Sequence, residues 1–238
     1  MKKTLQNLAL IASIVLSSCD FTGERIDGNG NITSVTRQVN NTEKIKVEGE
    51  MDVFLETGAS SVRIEADENI IPFIETVEED GWLRIRTRDN TNINTSNSIK
   101  VYVTSPRITD IHVDGSGNVT GNGKISSSDD MSFDISGSGN INVQINAPRV
   151  EAAISGSGNL NVAGETRELE LHIAGSGNYR GADLKAENAR VDIAGSGDAS
   201  LFADVSLKAS IAGSGDVKYR GNATIEKNIA GSGSVRKE

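Results

Sequence analysis

The sequence predicts an all-β fold, a single-stranded, right-handed parallel β-helix (β-solenoid) with an irregular β cap at its N-terminal end. Three observations carry this expectation. Gly-Ser-Gly occurs seven times, beginning at Gly115, Gly137, Gly156, Gly175, Gly195, Gly213 and Gly231, at steps of 22, 19, 19, 20, 18 and 18 residues. Around each copy, apolar residues fall at every second place, as in Ile154-Ser155-Gly156-Ser157-Gly158-Asn159-Leu160, and that alternation is strand geometry. No long helical stripe follows the first eighteen residues. A unit of 18 to 20 residues cannot bury its own apolar face, so the units must stack as rungs.

Counting by twos through a repeat turns the aliphatics and both glycines inward and leaves Ser and Asn or Asp outside. This predicts an inward column of Val119, Ile141, Leu160, Tyr179, Ala199 and Val217. Glycine suits a corner where an inward Cβ has no room or where φ must be positive. The rest of each rung agrees: Leu169, Leu171 and Ile173 alternate with Glu170, His172 and Ala174, and Val205, Leu207, Ala209 and Ile211 alternate with Ser206, Lys208, Ser210 and Ala212.

Ahead of the repeats the chain divides by composition. Residues 1–18 read as a secretory signal, with Lys2 and Lys3 before the apolar run Leu5 to Leu16, which is too short to span a bilayer. Leu16-Ser17-Ser18-Cys19 is similar to a bacterial lipobox, in which Cys19 becomes the lipidated first residue of the exported protein. It is the sole cysteine, so no intramolecular disulfide can form. Residues 19–34, rich in Gly and Asn, read as a tether whose Gly28-Asn29-Gly30-Asn31 could be a degenerate echo of the repeat. The head domain is expected over 35–238, with irregular N-terminal rungs or a cap at 35–110 and the regular repeats at 111–238.

Between Val35 and Arg107 the repeat is not visible, but strand patterns are. They include Ile45-Lys46-Val47, Val53-Phe54-Leu55, Val62-Arg63-Ile64-Glu65, Trp82 to Arg86 and Ile99 to Val103. Glu78-Glu79-Asp80-Gly81 reads as a turn between two strands. Asp67 to Glu78 fits a helical period poorly and contains Pro72, so it reads as a turn plus an extended segment, with at most one or two helical turns. A solenoid needs such a cap, because an open end exposes core and unpaired backbone. At the far end Arg236, Lys237 and Glu238 could blunt the last edge.

The order of these features resembles the bacterial head GIN domain family, whose members carry an auto-transporter adhesin label. The features are the lipobox, Ile45-Lys46-Val47-Glu48-Gly49 with Met51-Asp52-Val53-Phe54-Leu55, Glu65-Ala66-Asp67-Glu68-Asn69-Ile70, and then the Gly-Ser-Gly-Asn repeats. The resemblance covers nearly all of the chain after Cys19. It implies the solenoid and a role in adhesion, and it brings no catalytic or ligand residues with it. The few residues after Gly231 do not carry the strand pattern of an autotransporter's membrane barrel.

Candidate sites follow from the columns that stacking creates. Asn118, Asn140, Asn159, Asn178, Asp198, Asp216 and Ser234 form one, about 4.8 Å apart per rung. With two carboxylates among seven residues it reads as an amide ladder rather than a calcium site, and no metal or other cofactor is expected. His112, Asp134, Ala153, His172, Asp192, Ser210 and Asn228 form another. Its order, His172, Asp192, Ser210, puts the carboxylate in the middle, whereas a catalytic triad needs the imidazole there. The two tyrosines of the repeats, Tyr179 and Tyr219, do not share a rung position, so they make no sugar-stacking row. The chain therefore reads as a non-enzyme. Its candidate binding face is Ser138, Asn140, Ser157, Asn159, Ser176, Asn178, Ser196 and Asp198.

Charge excludes one class of partner. The chain carries −9, and loss of Lys2 and Lys3 with the signal takes it to −11, which argues against nucleic acid. The expectation is an exported lipoprotein, held in the outer membrane or at the cell surface by its lipid, that recognises a glycan or protein ligand. Two alternatives remain: a structural or sensory envelope scaffold docking a protein partner, and a polysaccharide-degrading enzyme.

Overall fold

The structure is a computed structural model and describes residues 23–40 and 43–238. Nearly all of these residues lie in one 17-stranded sheet that curls on itself, with Glu24–Asp27 and Thr91–Asn94 pairing separately. The segments that end at the first glycine of each repeat stack parallel and in register to make a first face. Lys44–Gly49, Asp110–Gly115 and Met131–Gly137 continue into 150–156, 169–175, 189–195, 206–213 and Thr224–Gly231. The segments that begin at the following Asn or Asp make a second face, running from Asp52–Thr57 through 118–121, 140–146, 159–161, 178–181 and 198–202 to Asp216–Arg220 and Ser234–Lys237. The parallel solenoid expected from the repeats is therefore the fold.

The core is a set of inward columns. Val119, Ile141, Leu160, Tyr179, Ala199 and Val217 occupy one, each aligned with the next and each at most 2% exposed. On the first face Val47, Val113, Ile135, Ile154, Ile173, Ile193 and Ile211 form another. Burying a branched aliphatic contributes about 1.5–3 kcal/mol, so such columns are a main source of the fold's stability. Large and small residues alternate where they must, with Tyr179 aligned with Ala199 and Phe133 with Ala152. In the rung Thr224–Lys237 two inward columns pass to lysine: Lys227 aligns with Ala209, and Lys237 with Tyr219.

The two faces meet at Gly-Ser-Gly, and its two glycines are required for different reasons. Gly175 has φ +125, and a Cβ on it would lie 2.5 Å from the Gly156 carbonyl of the preceding rung. Gly177 has no positive φ, but its Cβ would meet Ile154 Cγ2 at 2.5 Å and the Gly158 carbonyl at 2.6 Å. Between them Ser176 points out, and its N–H donates to the Gly156 carbonyl at 2.8 Å.

The N-terminal region contains a rung that the sequence hid. Lys44–Gly49 and Asp52–Thr57 pair in register with Asp110–Gly115 and 118–121, so Gly49-Glu50-Met51-Asp52 occupies the place of a Gly-Ser-Gly-Asn. Gly49 keeps positive φ, +103, but nothing lies within 4 Å of where its Cβ would be. Met51, 2% exposed, stands where later rungs have glycine. Beyond this rung the cap begins. Trp82–Thr87 and Lys100–Ser105 extend the two faces parallel to it, then Ile74–Glu79 and Ser61–Asp67 reverse direction, and Ile32–Arg37 reverses once more against Ser61–Asp67. Ile71–Phe73 is one 3-10 turn leading into Ile74–Glu79, and Asp80-Gly81, both at positive φ, join that strand to Trp82–Thr87. The Gly28–Asn31 segment is not an echo of the repeat, because the strand after it pairs antiparallel with Ser61–Asp67. Asp67 fastens it there, accepting from Gly30 N at 2.7 Å, Thr95 Oγ1 at 2.5 Å and Asn97 Nδ2 at 3.2 Å.

Candidate functional site

At the corner, Ser138, Ser157, Ser176 and Ser196 are exposed on successive rungs. Beside them runs the amide ladder. Asn118 donates through Nδ2 to Asp52 at 2.9 Å, Asn140 to Asn118 at 2.8 Å, Asn159 to Asn140 at 2.8 Å and Asn178 to Asn159 at 3.0 Å. Each bond uses one N–H and one oxygen lone pair, so Asn118 and Asn140 each keep one donor site and one acceptor site for another partner, while the Asn159 oxygen also accepts from Arg180. Past Asn178 the ladder changes chemistry. Asp198 accepts from the backbone of Asp216 at 2.8 Å, and Asp216 accepts from Ser234 N at 2.9 Å and Ser234 Oγ at 2.8 Å. The Ser234 hydroxyl bond holds the Asp216 carboxyl below the usual carboxylate range, with the backbone N–H and Arg236 adding to it. All eight candidate residues thus lie on one edge of the solenoid, with Asn140, Asn159 and Asn178 tied to the ladder and the serines free of it.

The histidine column is also real, and its order is as the spacing requires. His172 aligns with Asp192, which aligns with Ser210, so the imidazole has no rung contact with the hydroxyl. Its nitrogens lie 3.5 Å from Asp192 Oδ2 and 3.3 Å from Glu170 Oε1. Among the described residues no three His, Cys, Asp or Glu converge in a way that would hold a metal ion.

Two features of the second face were missed. The first is aromatic. Phe54 and Tyr102 stack face to face on neighbouring strands with centroids 5.1 Å apart, and the Arg63 guanidinium covers Tyr102 at 3.7 Å. The sequence separates these residues because the chain leaves after Asp52–Thr57, builds the cap, and returns as Lys100–Ser105 beside it. Tyr179 and Tyr219, by contrast, are core residues.

The second is a groove of about 520 Å³ on the same face. Its origin is the longest step of the central repeats, the 20 residues from Gly175 to Gly195. Arg180 aligns with Asn161, but the next aligned pair is Leu184 with Gly164; on the other side Gly181 aligns with Leu201, and Lys185 with Phe202. The surplus residues Ala182 and Asp183 form a bulge, a device that re-aims side chains at the cost of ladder bonds. The bulge makes one wall, Asn178, Asp198 and Asp216 make the other, and Asn161, Arg180, Ser200 and Lys218 line the floor on successive rungs. Among the described residues Arg180 reaches only amide oxygens, Asn159 at 3.3 Å and Asn161 at 3.4 Å. Beneath the bulge the Tyr179 ring packs against Gly181, where a Cβ would strike it. The Tyr179 hydroxyl is buried with no hydrogen-bond partner among the described residues, and burial pushes its pKa up, so it remains a proton donor. The sequence signal for this groove was the one step of 20 among neighbours of 18 and 19.

Comparison with known proteins fixes the family. No curated protein matches the chain. A crystal structure from Bacteroides fragilis NCTC 9343, named a "putative adhesin", superposes with a TM-score of 0.83 at 22% identity, covering 90% of this chain and all of that one. A "putative lipid binding protein" from Parabacteroides distasonis ATCC 8503 gives 0.74 at 26% identity, covering 90% of this chain and all of its own. A "putative adhesin" from Parabacteroides merdae ATCC 43184 gives 0.73 at 21%, covering 91% and 100%. Residues 41–223 match the family model described as "Putative auto-transporter adhesin, head GIN domain", and the chain belongs to that family.

Proposed function

We propose that this chain is the binding head of an exported, lipid-anchored envelope protein, an adhesin-like module that recognises a glycan or protein and catalyses nothing. The observation that carries the reading is the solenoid edge itself. Exposed serines and half-committed amides repeat at one-rung spacing on a backbone fixed by parallel ladders, so their geometry is set before any ligand arrives. Pre-organisation of this kind lowers the entropy cost of binding. The family description and the names of the similar structures agree with an adhesive role. The core columns are filled with side chains, so a lipid ligand, as one neighbour's name suggests for that protein, would have to bind outside them. Cys19 and the signal before it lie outside the described residues, and the anchor and the outer-membrane or surface location rest on the sequence pattern; the tether expected over 19–34 is shorter than that, because Glu24–Asp27 and Ile32 onward are paired strands of the head.

The test combines place and contact. Cys19→Ala is expected to lose acyl label and leave the membrane fraction, and protease or antibody access on intact cells reads whether the head faces outward. Ser157→Arg with Ser176→Arg should abolish retention on immobilised host glycans or matrix proteins while the thermal melt stays unchanged. Retention by the folded double variant would remove the edge from the contact surface.

A further inference from the structure

We propose that the groove made by the Ala182-Asp183 bulge is a saccharide-binding site, and that its ligand is a neutral sugar segment of a longer glycan. This rests on the adhesive reading above and gives that edge a ligand class. The groove adjoins the edge, since Asn178 and Asp198 belong to both.

The polar groups define the ligand by what they can and cannot satisfy. Arg180 and Lys218 are cationic donors two rungs apart, about 9.6 Å at the spacing of paired strands. Asp183, Asp198 and Asp216 are anionic acceptors along the walls, and Asn161 and Ser200 can both donate and accept. An anion such as a phosphate would face three carboxylates, and a cation would face Arg180 and Lys218. Vicinal hydroxyls on an uncharged ring donate and accept at once, so they match interleaved carboxylate, amide and guanidinium. A protein segment would need a deep apolar anchor pocket, and the apolar part of the lining here comes from small side chains, Ala163 and Ala182, and from core residues, Val162 and Ala199. Rungs also repeat at a spacing close to that of sugars along an extended chain, so successive rings would meet successive rungs.

One further observation points to a ligand here. The bulge interrupts the ladder toward Leu201 and Phe202 over residues 182–184, which costs backbone pairing that a purely structural rung would keep; a second interruption, at 121–123, falls on the rung of the 22-residue step. The volume, about 520 Å³, falls within the range of about 300–1,000 Å³ typical of small-ligand sites.

The experiment uses the full head on an array of neutral and acidic oligosaccharides, followed by calorimetry with the best-retained neutral oligosaccharide. Arg180→Ala and Asp183→Ala, both at the surface, should each weaken that binding at least tenfold. Tyr179→Phe, whose hydroxyl lies in the core beneath the bulge, should leave it unchanged, all three with unchanged circular dichroism. Deleting Ala182 and Asp183 together, to restore a shorter rung, should abolish it. Full-strength binding by Arg180→Ala and Asp183→Ala would overturn the groove as the site. If Ser157→Arg with Ser176→Arg then abolished the same binding, the adhesive edge would survive without the groove. Retention of only acidic sugars, or of proteins and no sugars, would overturn the ligand class and leave the adhesive reading standing.

Discussion

The rung Lys44–Thr57 and the rung 169–186 have the same path and register, yet only the second shows the repeat in its sequence. The difference lies in what is underneath. Gly175 and Gly177 turn their corner against the backbone of Gly156 and Gly158, so neither has space for a Cβ. Gly49 and Met51 turn theirs with no earlier corner below, and a long side chain fills the gap instead. Glycine at the inner corner position is therefore a property of stacking. It is demanded of every rung except the first.

Swapping the two solutions should break the comparison most sharply. Gly177→Val puts a branched side chain into Ile154 and the Gly158 carbonyl, and should cost about 2 kcal/mol or more by overpacking. Gly177→Met should cost as much, although methionine is native at the matching place one end of the stack away. Conversely Met51→Gly should cost about 2–5 kcal/mol, the range for removing a buried methionine. Urea unfolding of the three variants decides it, and a tolerated Gly177→Met would show that the corner is looser than its geometry.

A second contrast concerns acid. The cap is tied by Asp67, whose carboxyl the Thr95 hydroxyl holds below the usual range, helped by Asn97 and Gly30 N–H. A depressed folded pKa means its contribution is complete above the unfolded value, near pH 4, and is lost as pH falls through the folded value. The ladder from Asn118 to Asn178 consists of amides and does not titrate. Hydrogen exchange between pH 5 and 2.5 should therefore show Ile32–Arg37 and residues 95–97 losing protection before 140–178. Asp67→Asn should abolish the pH dependence of that segment.

Smaller effects refine the ladder itself. Asn159→Ala removes two ladder bonds and should cost about 1 kcal/mol, the net worth of ordinary hydrogen bonds. Ser176→Val, at an exposed place two residues before Asn178, should stay within about 0.5 kcal/mol. Equal losses at Ser176 and Gly177 would mean the alternation through the corner is misassigned.

What was legible in the sequence is what stacking imposes repeatedly. The glycine corner, the column from Val119 to Val217 and the outward Asn and His columns all follow from seven copies in near register. The first rung escaped because it lacks the inner glycine that marks the others. The Phe54–Tyr102 stack escaped because its strands are neighbours only through the cap's return path. The groove was half legible: the extra length between Gly175 and Gly195 was countable, but whether it would lengthen a turn or bulge a strand depended on pairing with both neighbouring rungs.

Lys227 and Lys237 give the stack a sense of direction. A rung laid over Thr224–Lys237 would have to enclose two ammonium groups in the columns that Ala209 and Tyr219 occupy one level earlier, at several kcal/mol per ion. The cap end is finished by strands that reverse; this end is finished by electrostatics. Two lysines in core columns make that face a poor template for the edge strands of any other molecule, including a copy of itself.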